Sequence, residues 1–205
     1  MKNIYLILIL FLSTLCFSQK QKCTVYLLDG TIKEGISRFK IDDNVKFRET
    51  EDSKPEIILK EKIDKIKLDE NGIIGTYRYK NVKDEGGLWL KESTTTGEVF
   101  LYTNKISGVF YGGGVGFNSV GGVGMSGGMM MGSGGDVIYY YVCHKTDTEV
   151  FKITSTGNIS KNFKNAASEF FKDCPKLVEK IQTKEYKKND IESVVWFYNN
   201  YCGTK

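Results

Sequence analysis

The chain has 205 residues, with 29 Lys and Arg against 25 Asp and Glu and a formal net charge of +4, both signs being mixed along its length. A balance this small and dispersed excludes the basic stripe by which proteins neutralise phosphate backbones, so nucleic acid is not an expected partner. The length suits one compact domain, or one with a small appendage.

The opening "MKNIYLILILFLSTLCFSQK" places Lys2 before an apolar run from Ile4 to Leu12, with small residues at Cys16 and Ser18 ahead of polar "QKQK". That three-part order predicts a cleaved secretory signal over residues 1–18, with Gln19 as the new N-terminus. The apolar run is too short to be a stable membrane span. Lipidation at Cys16 is disfavoured, because a lipoprotein signal places a small residue directly before the cysteine and this chain has Leu15. The expected location is therefore the periplasm, the outer-membrane surface or the exterior.

Residues 19–157 read as a β-rich domain. In "CTVYLLDGTIKEGISRF", Asp29-Gly30 between two apolar-rich runs is a strong hairpin signal. The segments "NVKFRE", "EIILKE", "IDKIKL", "IIGTYRYK", "LWLKE", "EVFLYTN", "VIYYYVCH" and "EVFKIT" follow, separated by polar turns such as "DENG" and "KDEGG". This rhythm predicts an antiparallel β-sandwich or barrel. Tyr77 and Tyr79 share one face, as do Tyr139 and Tyr141, while Tyr140 points the other way. Such rows suit cross-strand packing, with an aromatic binding platform as the alternative.

An insert over 108–135 interrupts the strands. It holds thirteen of the 22 glycines and every methionine but the initiator, and no charged residue or histidine occurs from Ile106 to Gly135. Two catalytic patterns fall within it. Gly122 to Gly127 match G-x-G-x-x-G, with Asp147 twenty residues beyond, but "GMMMGSGGD" cannot start the helix that a pyrophosphate requires. Gly124 to Gly128 match G-x-S-x-G around Ser126, and a triad with Asp136 and His144 can be drawn. That elbow also needs a strand-to-helix turn, and a stretch nearly half glycine matches the pattern by composition alone. His144, the only histidine, reads as a surface or hydrogen-bonded residue. A membrane helix is equally poor, since glycine contributes little transfer energy and little helix propensity.

The tail over 158–205 is helical. Phe163, Ala166, Ala167, Phe170 and Phe171 fall on one helical face. Pro175 opens a second helix that buries Leu177, Val178 and Ile181. Asn189 and Glu192 are placed as a capping box for a third, whose stripe is Ile191, Val194, Val195, Tyr198 and Tyr201. As an antiparallel hairpin, the last two helices, about 18 and 20 Å long, bring the start of one beside the end of the other. Cys174 and Cys202 occupy those places, so a disulfide between them is predicted, worth roughly 3.5 kcal/mol in the chain-entropy model. Cys23–Cys143 follows by elimination, on the assumption that their strands are antiparallel neighbours. The absence of C-x-x-C spacing argues against redox or metal chemistry at these cysteines.

The signal end "LCFSQ", the hairpin "VYLLDGTIKEGIS" and the close "FFKDCPKLVEKI" with "DIESVVWFYNNYC" together resemble uncharacterised exported proteins of Bacteroidetes. That resemblance implies a β-rich body with a helical C-terminus and brings no activity or site. The opening hairpin by itself is similar to the start of small five-stranded barrels of the Sm or SH3 type.

The expected fold is α+β, mainly β: an antiparallel sandwich or barrel with a C-terminal helical tail. The expected function is that of an exported, non-enzymatic envelope binding or structural module without a cofactor, whose insert contacts an envelope protein or membrane surface through Phe110, Tyr111 and Phe117. The alternative is a copper protein, because Met125, Met129, Met130 and Met131 place four soft thioether ligands within seven residues, a set that favours Cu(I). Against it, methionine is also a pliable apolar residue, and no histidine or cysteine joins the cluster.

Overall fold

Period-two apolar patterns fold, among the described residues, into β1 (Gln21–Leu27), β2 (Ile32–Phe39), β3 (Val45–Arg48), β4 (Glu56–Ile58), β5 (Ile63–Glu70), β6 (Ile73–Val82), β7 (Gly86–Thr94), β8 (Val99–Ile106), β9 (Val137–His144) and β10 (Glu149–Ser155). The helical periodicity that follows gives α1 (Phe163–Phe170), α2 (Pro175–Gln182) and α3 (Ile191–Tyr201). The fold is thus α+β and mainly β. The computed structural model describes residues 21–70, 72–106, 136–156 and 162–203; the predicted signal and the insert 108–135 lie outside them.

The β1–β2 turn forms where Asp29-Gly30 predicts it. Gly30 has φ +87°, which a side chain would oppose. The Asp29 carboxylate accepts the Thr31 N–H at 2.8 Å, and the Leu27 N–H donates to the Thr31 carbonyl at 2.9 Å. One strand is shorter than expected: "EIILKE" contributes only Glu56–Ile58 before a 3₁₀ turn at Lys60–Lys62. Asn44 Oδ1 accepts the Lys60 N–H at 3.1 Å, so that donor leaves the strand ladder.

All ten strands join one sheet in the order β10-β9-β8-β7-β6-β5-β1-β2-β3-β4. Each neighbouring pair is antiparallel. A short parallel contact between β10 and β6, with Glu149 opposite Asn81 and Val150 opposite Val82, closes β6 through β10 into a ring. Strand alternation then sorts the side chains. Leu90, Tyr102, Tyr141, Cys143 and Val150 fill the ring, while Val99, Leu101 and Val142 point outward to the helices.

A second core lies between β1 through β5 and the near ends of β6 and β7, built on Val25, Phe39, Phe47, Ile66, Leu68 and Trp89. The five strands match in number the small barrels that the hairpin resembles, but among the described residues no β4–β5 pairing closes them. Gly35 lets β2 pass β3, since a Cβ there would run into the Arg48 carbonyl. The tyrosine faces are as predicted. Tyr77 and Tyr79 pack on this core, Tyr139 and Tyr141 on the ring interior, and Tyr140 on the helical side.

The helices cover the outer face of β8, β9 and β10. Phe163, Ala167, Phe171, Leu177, Ile181 and Val194 are all buried there, as the periodicity requires. Pro175 opens α2. Val178, expected beside Leu177 and Ile181, is only half-buried, and α2, with 8 residues, is shorter than expected. Two further details differ from expectation. The start of α3 is shaped by a 3₁₀ turn, Lys188–Asp190, in which the Asp190 carboxylate accepts the Lys187 N–H at 2.8 Å, in place of the Asn189 and Glu192 box. Tyr201 is 64% exposed, because the buried stripe ends at Tyr198, and its ring packs on Phe197 at 4.8 Å instead.

Cys174, just before α2, and Cys202, just after α3, form the predicted disulfide, with Cα atoms 5.8 Å apart and a sequence separation of 28. The second pairing is corrected. Cys23 and Cys143 are free and buried. Strands β5, β6, β7 and β8 stand between β1 and β9, so Cys23 sits opposite Gly35 and Leu68 while Cys143 sits opposite Phe100. The two thiols belong to different cores with strands between them, so they do not meet in the geometry that a disulfide requires.

Candidate functional site

The insert is rooted on β8 and β9, the most regularly paired strands of the ring. Their register runs without a shift from Val99 opposite His144 to Ile106 opposite Val137. At the base, Lys105 and Asp136 form an ion pair at 2.6 Å. The chain thus leaves and re-enters the body at one rung of the ladder, between the last residue of β8 and the first of β9. The predicted contact residues Phe110, Tyr111 and Phe117 and the four thioethers of Met125, Met129, Met130 and Met131 lie outside the described residues.

The triad that includes Ser126 can be judged on its other two members. Asp136 precedes β9 and His144 ends it, so at ~3.3 Å per residue they lie about 26 Å apart. No hydrogen bond joins them. The His144 ring instead stacks on Phe170 at 4.8 Å and meets Tyr198 edge-on at 5.9 Å, which makes it a packing residue between β9 and the helices. Asp147, the acid at dinucleotide spacing, accepts the His144 backbone N–H at 3.2 Å and shapes the β9–β10 turn.

Charged groups elsewhere are used across the sheet. Arg78 on β6 joins Asp64 at the start of β5 to Glu92 on β7. Burial works against its charge, but the two carboxylates outweigh burial and hold its pKa above the usual value. Glu70 accepts hydrogen bonds from Lys91 and Tyr77. Burial alone pushes its pKa up, and these two donors together turn the shift downward. Burial, then the bond to Glu70, raises the Tyr77 phenol. The Cys143 thiol is pushed up to about 11 by burial, so it stays protonated and unreactive near neutral pH. Cys23 is raised by burial too, in spite of a hydrogen bond with Ser37. Among the described residues no three His, Cys, Asp or Glu side chains converge as metal ligands.

One feature escaped the sequence reading. A groove of about 380 Å³ opens between α3 and the β7–β8 turn, walled by Thr94 and Thr96 on one side and by Glu192, Ser193, Trp196 and Asn200 on the other. Its floor is Asn199. That side chain accepts from the N–H groups of Glu98 (3.1 Å) and Val99 (2.8 Å) and donates to the carbonyls of Thr96 (3.1 Å) and Val99 (2.8 Å). All its hydrogen-bonding directions are taken, which fixes the turn to the helix. The available signal was Trp196, a large aromatic off the buried stripe of α3 and 57% exposed.

No protein family, curated protein or solved structure matches this chain.

Proposed function

We propose that this chain is an exported, non-enzymatic module of the cell envelope, a disulfide-stapled β scaffold that holds out the uncharged segment 108–135 to contact an envelope protein or a membrane surface. Phe110, Tyr111 and Phe117 are its contacting side chains. The observation that carries this reading is the unbroken β8–β9 register with the Lys105–Asp136 pair at its end. A hairpin that is complete at its last rung does not need a long connection to fold, so the length of the insert asks for another explanation.

Three further features support it. The Cys174–Cys202 disulfide suits an oxidising compartment. No helix among the described residues is long and apolar enough to cross a membrane. The separation of Asp136 from His144 leaves the insert's Ser126 without an assembled acid–base pair in the body.

Replacing residues 107–136 by Asn-Gly joins Ile106 to Val137 through a two-residue turn of the type such rungs accept. The expected result is an intact sheet by circular dichroism and loss of association with the envelope fraction. Undiminished association of the shortened protein overturns the reading. Cu(I) titration of the full chain against a variant with Met125, Met129, Met130 and Met131 changed to Leu separates it from the copper alternative, since envelope contact alone requires equal uptake by both.

A further inference from the structure

We propose that the groove between α3 and the β7–β8 turn is a binding site for a neutral oligosaccharide, with Trp196 as its stacking platform. The site shares no residue with segment 108–135 and stands independently of it. Three observations lead there.

The first is preorganisation. Asn199 ties the groove floor to Thr96, Glu98 and Val99 through both ends of its amide, and the Cys174–Cys202 bond holds the end of α3 immediately beyond. The Trp196 indole is set by an edge-on contact with Tyr201 at 5.8 Å, and the Tyr201 ring is itself held by Phe197. The floor is thereby fixed before a ligand arrives, and the indole has a neighbouring ring to rest on.

The second is unspent hydrogen-bonding capacity. The hydroxyls of Thr94, Thr96 and Ser193 and the carboxylate of Glu192 line the groove, and none has a hydrogen bond or ion pair among the described residues. An exposed indole beside unengaged hydroxyls and one carboxylate matches a pyranose ring. The apolar C–H face of the sugar lies on the aromatic surface, and its hydroxyls donate to the carboxylate and exchange bonds with the side-chain hydroxyls.

The third is charge. Glu192 is the sole charged side chain in the lining, which carries no Lys or Arg. A phosphate, sulfate or uronate would face a carboxylate with no cation to offset it, so anionic ligands are excluded and neutral sugars are not. At about 380 Å³ the groove falls within the ~300–1,000 Å³ of small-ligand sites.

The chain holds two tryptophans, and Trp89 is 4% exposed with its Nε1–H donated to the Asp43 carbonyl. Fluorescence changes in the full-length protein therefore report Trp196. The test uses cellotetraose, chitotetraose and maltotetraose as neutral probes, and a sulfated disaccharide as the anionic comparison, each at ~10 mM, where millimolar affinity approaches saturation. At least one neutral probe is expected to shift the emission saturably. Calorimetry should then show Kd raised at least ~10-fold by Trp196→Ala and by Glu192→Gln, with Trp196→Phe retaining part of the affinity. Both positions lie on the exposed side of α3, so the variants should keep the wild-type circular dichroism. No saturable response to any neutral probe overturns the proposal, as does equal binding by Trp196→Ala or tighter binding of the sulfated sugar.

Discussion

Asn199→Ala is expected to detach the end of α3 from the β7–β8 turn. Asn199 offers Val99 what a neighbouring strand would, one acceptor for its N–H and one donor for its carbonyl, both at 2.8 Å and partly buried. Its two bonds at 3.1 Å, to Glu98 and Thr96, are exposed. Losing the buried pair costs about 1 kcal/mol each, with roughly 0.5 each for the exposed pair, and alanine returns about 0.5 kcal/mol of helix propensity. The net destabilisation is about 2.5 kcal/mol, or roughly 5–10 °C in Tm for a chain of this size. Urea unfolding followed by circular dichroism measures it as a lower midpoint at unchanged slope. Asn200→Ala is the control, because that side chain only donates to the Trp196 carbonyl within the same helix, and it should stay within about 0.5 kcal/mol of wild type. Asn199→Asp should be no better than Asn199→Ala, since its second oxygen would face the Thr96 and Val99 carbonyls. Gly97→Ala places a Cβ 2.5 Å from Asn199 Cγ at φ +96°, so it attacks the same contact and should combine with Asn199→Ala less than additively. An unfolding free energy for Asn199→Ala within about 0.5 kcal/mol of wild type, on the ~1 kcal/mol scale of one hydrogen bond, refutes the reasoning.

Replacing Cys174 and Cys202 together by Ala should lower stability by about 3.5 kcal/mol, measured as a urea midpoint without reductant; an unchanged midpoint would show that the helices dock without the crosslink. Cys23 and Cys143 should not react with a thiol reagent at about pH 8 in the native protein and should both react after unfolding with the disulfide intact, whereas rapid native labelling of Cys143 contradicts its burial and raised pKa. Glu70 contributes to the pH dependence of stability. Its native pKa lies below the ordinary 4.5, so its contribution is complete above that value and is lost as pH falls through the native one. Glu70→Gln should remove that part of the acid dependence, and denaturation curves for both proteins at pH values below 4.5 that fall in parallel would exclude the assignment.

Much of the fold was legible because it is written locally. The Asp29-Gly30 turn, the faces of Tyr77 and Tyr140, and the burial of Phe163, Leu177 and Val194 follow from periods of two and 3.6 residues, which need no knowledge of distant chain. The Cys174–Cys202 disulfide was legible for the same reason, since two helix lengths and one antiparallel turn fix where both cysteines stand. The groove was not, because its walls join Thr94 and Thr96 to α3 across about a hundred residues of sequence. Only the exposed Trp196 hinted at it.

Cys23 and Cys143 mark the limit most clearly. The sequence by itself determined that both lie in strands. Only the tertiary structure decided that β1 pairs with β2 and β5, and that β10 closes on β6, which puts the two thiols in separate cores. Many strands share the same alternation, so the local pattern says which face of a strand is buried while leaving its neighbours open; the choice among them is made by long-range packing around a core that no short window contains.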